Sequence, residues 1–391
     1  MSDLKVLWIL RRTPTSPDAD GMSRWFYNVI KAMRPFVSQM DIIGQHKDEN
    51  NSYQIWRNYS DHFYSIPIRV QRYRKLRRLL GWDYAQVDTY NSTVLNQIRY
   101  WTSEHDYDLV VFLGNGTNVY LPYTKTKFKM IIPLDAPSGV TYAPSISLID
   151  KFKTSTDRLR LKRVEFSYNA ANSVLVVSER DREFLIASGV NPKKIFVCPM
   201  GVDTVEFSPQ TGTIKKEPSI LFTGVLSFYP NEDAAIHLVK DIFLRFRMDQ
   251  DPIKCRIAGR SPSLAVRELG RYPGVEVWEN MPDLRRAFDL SMVYVAPMRI
   301  GFGMKTKILE AMAMQMPVVG YPLAFNGIAD PFKFAMVCDR AEEIVKAVRQ
   351  LLNNPQLLID LGKRARQYAI KNHSTDRVAR FILDQCMRFE K

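Results

Sequence analysis

Residues 292–320 read Met292-Val293-Tyr294-Val295-Ala296-Pro297, then Met298-Arg299-Ile300-Gly301-Phe302-Gly303-Met304-Lys305-Thr306-Lys307-Ile308-Leu309-Glu310-Ala311-Met312-Ala313-Met314-Gln315-Met316-Pro317-Val318-Val319-Gly320. The opening apolar run is β-like and delivers the chain into a loop holding Gly301 and Gly303. A helix follows, with Lys305 and Lys307 at or just before its first turn. Glycine lets backbone N–H groups come close to an anion, and a helix N-terminus favours negative charge. The two lysines add point charges suited to phosphate. Glu310 lies three residues beyond Lys307, so the two side chains share a helix face. A carboxylate there can accept hydrogen bonds from sugar or ribose hydroxyls. Spacing alone also fits an ordinary strand–loop–helix crossover with a solvated, lysine-rich start. Read as chemistry, the group suits a nucleotide-sugar diphosphate.

The stretch resembles the donor-site signature of retaining glycosyltransferases with the two-domain GT-B fold, glycosyltransferase family 4. The matching branch carries Gly-x-Gly-x-Lys-x-Lys-x-Leu-Glu-Ala-Met-Ala followed by Pro-Val-Val, found here from Gly301 to Val319. Many members have a second glutamate eight residues before the one matching Glu310; Phe302 occupies that place, so Glu310 alone is carried over. The resemblance implies an α/β chain of two Rossmann-like domains, with parallel sheets facing across a cleft. It also implies a C-terminal helix that crosses back to the N-terminal domain.

Composition agrees with a folded globular chain: 391 residues, 46% hydrophobic and 25% charged, long enough for two domains. Cys198, Cys255, Cys338 and Cys386 are widely spaced and read as free, mostly buried thiols, with no zinc-type spacing. Val6–Leu10 is too short for a secretory h-region, and no stretch is apolar over the ~18 residues a membrane span needs. The expectation is a cytoplasmic protein, peripheral at most. Fifty-five Lys and Arg against 41 Asp and Glu give a net charge of +14, which suggests a polyanionic partner.

Along the chain, Leu4–Leu10 reads as a buried strand, followed by a loop from Arg11 to Gly21 and a helix over about 23–33. Strand, glycine-bearing loop and helix at the start suit a Rossmann-like half. The resemblance places a glycine pair in this loop, near the donor phosphates; only Gly21 is present, followed by Met22. Asp18-Ala19-Asp20 reads as loop solvation, not a metal-binding DxD. Residues 69–80 are the densest basic run: Arg69, Arg72, Arg74, Lys75, Arg77 and Arg78 alternate with Val70, Tyr73, Leu76, Leu79 and Leu80 at helical spacing. This is the pattern of a basic amphipathic helix on an anionic bilayer, and equally of a domain helix with one face packed inward. The resemblance favours the membrane, where the acceptor is held. No nucleic-acid recognition motif accompanies the charge.

Further strands are expected near 40–44, 62–66, 108–113, 129–134 and 173–177, with Asp135 at the carboxyl end of one of them. Asp135 serves as a site residue or a cap; the resemblance offers a His-Asp pair there, and this chain has Leu134-Asp135. None of His46, His62, His105, His237 and His373 sits in a matching motif. Lys194–Asp203 resembles the segment that ends the family's N-terminal domain. The expected division is 1–206 plus a terminal helix over 374–391, and 207–373. The second half opens with Ser219–Gly224, then Tyr229-Pro230-Asn231-Glu232-Asp233-Ala234, a run the resemblance also covers. The arginine usual after the glycine is Val225 here, so Arg260, after Ala258-Gly259, is the substitute cation beside Lys307.

The resemblance implies donor binding by Gly21, Gly224, Asn231, Arg260, Gly301, Gly303, Lys305, Lys307 and Glu310, with Asp135, Lys307 and Glu310 catalytic. It implies transfer of a sugar from a nucleoside-diphosphate sugar to a glycan or lipid-linked acceptor in cell-surface polysaccharide synthesis. Configuration is retained, with no cofactor and no metal. Two other readings stay open: a nucleotide-sugar epimerase-like enzyme on the same architecture, and a catalytically silent sugar-nucleotide-binding partner.

Overall fold

A computed structural model describes residues 3–13, 21–46, 55–68, 90–133, 136, 138, 159–198, 200–210, 217–248, 252–301 and 303–389. The basic run with Arg69, Arg72, Arg74, Lys75, Arg77 and Arg78, the Asp18-Ala19-Asp20 turn, Asp135 and Phe302 lie outside the described residues. Two compact units form: Met1–Pro199 with Val378–Lys391, and Met200–Arg377.

The first unit holds seven strands: β1 (Lys5–Leu10), β2 (Gln39–His46), β3 (His62–Pro67), β4 (Leu109–Leu113), β5 (Phe128–Ile132), β6 (Ser173–Val176) and β7 (Ile195–Val197). They pair in the order β3-β2-β1-β4-β5-β6-β7, all parallel. Parallel strands need crossovers that cover both faces, so β1 and β4 are apolar along their length and buried. Helix α1 (Gly21–Met33) turns Trp25, Phe26, Val29, Ile30 and Met33 inward. Helix α2 (Ser92–Glu104) is capped by Asn91, whose side chain accepts from the Thr93 N–H, and buries Val94, Leu95, Ile98 and Trp101. Helix α3 (Glu179–Ala187) is capped by Ser178.

In the second unit, β8 (Ser219–Val225), β9 (Lys254–Arg260), β10 (Val275–Glu279), β11 (Val293–Ala296), β12 (Val318–Gly320) and β13 (Ala335–Val337) form a parallel sheet ordered β10-β9-β8-β11-β12-β13. Its helices are α4 (Tyr229–His237), α5 (Leu244–Met248), α6 (Leu264–Leu269), α7 (Arg285–Leu290), α8 (Thr306–Ala313), α9 (Ala341–Leu352) and α10 (Pro355–His373). Between α4 and α5 the chain passes through a π-helical turn, Leu238–Phe243. The last helix, α11 (Thr375–Phe389), begins in this unit, and from Val378 onward the chain belongs to the first unit.

The units divide at Pro199/Met200, a few residues before the break expected after 206. The physical reason is a set of bonds tying 202–208 to the end of α10. Val202 N–H donates to His373 O at 2.7 Å, and Thr375 N–H donates to Val202 O at 3.1 Å. The Arg366 guanidinium donates to Phe207 O (3.0 Å), Thr204 O (3.2 Å) and Ser208 Oγ (3.0 Å). All four cysteines are buried, and none is in a disulfide. Among the described residues no helix is long and apolar enough to cross a membrane.

Candidate functional site

In the second sheet β8 and β11 are neighbours, yet the chain leaves β8 toward β9 on one side and β11 toward β12 on the other. Such a reversal opens a crevice outside the carboxyl ends of the two strands, where the connecting loops part. Two segments emerge there: Gly224–Phe228 running into α4, and Pro297–Lys305 running into α8.

The two segments meet through Asn231 and Lys307. Asn231, in the first turn of α4, donates from Nδ2 to Val225 O at 2.9 Å. Its Oδ1 accepts from Lys307 Nζ, so one amide spans both crossovers. The Lys307 ammonium also lies over the Phe222 ring, 4.6 Å from its centroid. Gly224 leaves the space for this: a Cβ there would stand 2.8 Å from Asn231 Nδ2 and 3.1 Å from Lys307 Nζ. Gly259 keeps β9 close, since its Cβ would fall 1.8 Å from Gly224 O. Any other residue at 259 would push the strands apart at the rim of the site.

Gly301 and Gly303 adopt φ of +131° and +62°, backbone shapes that favour glycine and let the loop turn into α8. Lys305 occupies the N-cap of α8, is 9% exposed, and donates from Nζ to Gly303 O at 2.6 Å. Burial pushes the Lys305 ammonium down to about 8. Lys307 is pushed down to about 7, first by burial and then by the Lys305 charge, while Glu310 pulls the other way. Glu310, 5% exposed, sits on the same face of α8 as expected. Beneath it Tyr294 is fully buried, its hydroxyl 3.0 Å from Thr223 Oγ1, and burial raises the phenol's pKa.

A half-buried ammonium whose only hydrogen-bond acceptor among the described residues is a neutral amide, with Glu310 acting on it only through space, can take a further negative partner. With Lys305 beside it and the N-terminus of α8 pointing the same way, the site is built for an anion.

The structure thus brings together Gly224, Asn231, Lys307, Lys305, Gly301, Gly303 and Glu310. Arg260 ends β9 in register with Val225, and its carbonyl accepts from Leu226 N–H at 2.8 Å. That places the Arg260 backbone at the rim, while the lysines hold the centre. Gly21 opens α1 in the first unit.

Sequence reasoning missed four groups here. Phe222 and the Thr223–Tyr294 pair looked like plain strand residues. Arg299 is held by both oxygens of Asp233 (Nη2–Oδ1 2.6 Å, Nε–Oδ2 3.2 Å), which staples the glycine loop to α4. His237 bonds Asp241 through Nδ1 (2.6 Å) and the Tyr321 hydroxyl through Nε2 (2.9 Å). Asp233, His237 and Asp241 recur every four residues, which was a readable signal of one helix face.

Residues 217–354 match the family described as Glycosyl transferases group 1. No curated protein matches the chain by sequence. Solved structures share the fold at low identity. HepE of Anabaena in complex with UDP has a TM-score of 0.67 at 11% identity, covering 98% of this chain and 100% of that one. A glycosyltransferase of Rickettsia africae gives 0.68 at 12%, covering both chains fully. Sucrose-phosphate synthase of Thermosynechococcus elongatus gives 0.68 at 16%, covering 98% of each. The chain therefore has the GT-B fold, and its second unit carries, over residues 217–354, a region similar to glycosyl transferases group 1.

Proposed function

We propose that this protein is a retaining glycosyltransferase that moves a sugar from a nucleoside-diphosphate sugar to a glycan or lipid-linked acceptor, without a metal ion at the donor. The observation that carries this reading is the half-buried Lys307 ammonium, bonded to neutral Asn231 and set beside buried Lys305 at the switch point of the second sheet. A diphosphate supplies the charge that the pocket lacks. As the sugar–phosphate bond breaks, negative charge grows on the leaving diphosphate. Lys305, Lys307, the N–H groups at Gly301 and Gly303, and the α8 N-terminus stabilise it. Glu310 accepts hydrogen bonds from sugar or ribose hydroxyls, and Asp135 is assigned a catalytic role. The basic run 69–80 docks on the anionic, cytoplasmic face of the membrane that holds the acceptor.

HepE binds UDP, and also UDP with glucose, so uridine diphosphate is the first ligand to try. The test is thermal unfolding with UDP, GDP, ADP, dTDP and CDP, for the wild type, Lys307→Ala and Glu310→Ala. A ligand at 100 times its Kd adds about 2.7 kcal/mol to stability, which raises Tm by several degrees. One nucleotide is expected to stabilise the wild type, with the shift lost in Lys307→Ala. If no nucleotide moves Tm, the donor-site assignment fails.

A further inference from the structure

At the amino-terminal end of the first sheet, away from the loops that follow its strands, Asp41 of β2 lies directly opposite His62 of β3. Asp41 is fully buried. A buried carboxylate needs a compensating cation or a full set of donors, and among the described residues no lysine or arginine bonds to this one. Its Oδ2 accepts from the Tyr107 hydroxyl (2.5 Å) and Gln39 Nε2 (2.6 Å), which fixes the plane of the carboxylate. Its Oδ1 accepts from the His62 N–H (2.9 Å) and faces the His62 ring, with Nδ1 at 3.0 Å. The second imidazole comes from His105, the C-cap of α2, whose ring lies 5.8 Å from that of His62 at 20° and is braced edge-on by Tyr107.

One carboxylate oxygen and one ring nitrogen from each histidine all lie within 4.8 Å of one another. Ligands at about 2.0–2.1 Å around a tetrahedral zinc ion stand roughly 3.4 Å apart. One edge of that triangle is already short, at 3.0 Å, and the remaining closure needs only side-chain rotation of His62, which is 58% exposed, and of half-buried His105. We propose that Asp41, His62 and His105 form a binding site for a divalent first-row transition ion, zinc by preference, with water as the fourth ligand. Imidazole and carboxylate are the donor set such ions take. Gln39 and Tyr107 would supply the outer hydrogen bonds that orient the carboxylate. An ionised carboxylate only accepts, so His62 Nδ1 donates the bridging hydrogen bond; metal binding through that nitrogen moves the proton to Nε2, and the imidazole ligand stays neutral. The site staples the starts of β2 and β3 to the end of α2, which makes its role structural.

The experiment uses the full chain, stripped with EDTA and titrated with ZnCl2 by calorimetry, alongside thermal unfolding with and without zinc. The wild type is expected to bind about one equivalent and to gain several degrees in Tm. His62→Ala and His105→Ala should each weaken binding by at least about tenfold, and the double variant should show neither uptake nor shift. Circular dichroism of the stripped variants verifies folding. If His105→Ala does not fold, exposed His62→Ala decides the matter alone. Absence of zinc uptake by the wild type, or undiminished uptake by His62→Ala, overturns the proposal. A site that uses histidine protons alone to balance Asp41 would give the first of those results.

Discussion

Lys307 is where stability and binding pull in opposite directions. Its ammonium is held down to about 7, against about 10.4 for an exposed lysine. Below pH 7 both folded and unfolded chains carry the proton, and the folded state bears the full burial penalty. Between pH 7 and 10 the unfolded chain binds more protons, so this group's contribution makes stability rise with pH. Lys307→Met is therefore expected to leave Tm at pH 7 unchanged or higher, while abolishing the nucleotide-induced shift. A large loss of Tm in this variant would mean that the ammonium is structurally required. The same linkage makes diphosphate binding strongest below pH 7 and weaker as pH rises through that value. Calorimetry in two buffers of different ionisation enthalpy should register proton uptake on binding. That lysine and glutamate three residues apart share a helix face was readable from spacing alone. The partner of Lys307, Asn231, lies 76 positions away, and no local pattern announces that contact.

At the scale of elements, the segment Pro297–Lys305 matters most, because it aims both lysines. It is stapled to α4 by Arg299 and Asp233, and because the Arg299 end is half-exposed the pair's effect on stability should be about 1 kcal/mol or less. Its effect on geometry should be larger. Asp233→Asn is expected to raise the donor KM several-fold with a smaller change in kcat, and Asp233→Glu to restore part of the loss. Steady-state kinetics with varied donor check this; an unchanged KM in Asp233→Asn removes the staple from the account. Element boundaries followed the sequence closely where apolar periodicity was strong, as at Lys5–Leu10, His62–Pro67 and Ser173–Val176. Helix α2 was not anticipated, although its signal is present: Asn91 as cap, then Val94, Leu95, Ile98 and Trp101 on one face. The π-helical turn at Leu238–Phe243 had no such signal. Its residues are ordinary helix formers, and the wider turn is chosen by packing.

For the whole molecule, the second unit is an insertion between Pro199 and Val378 of the first. Its two ends are joined to each other, since Val202 bridges to Ser374 and His373 Nδ1 bonds Met200 O at 3.0 Å. A segment with adjacent ends and its own sheet and core meets the conditions for folding alone. Expressed as Met200–Arg377, it is expected to unfold cooperatively and to keep the wild-type nucleotide shift. Circular dichroism and thermal unfolding with nucleotide test this. A fragment that folds but shows no shift would place part of the nucleotide contact in the first unit.

By itself the sequence determined two α/β halves, because buried parallel strands must be continuous apolar runs and their crossover helices must show one apolar face. It also determined the chemistry of the stretch from Gly301 to Glu310, because glycines, lysines and an acid at those intervals lie within a single strand–loop–helix unit. Only the tertiary structure decided that Asn231 and Phe222 enclose Lys307 and that Arg299 is tethered to Asp233. Only it brought Asp41, His62 and His105 together. These groupings join residues tens of positions apart, and their proximity follows from strand order: β8 beside β11, and β2 beside β3. Strand order is set by how the crossovers pack over each sheet, a property of the folded chain that no local interval encodes.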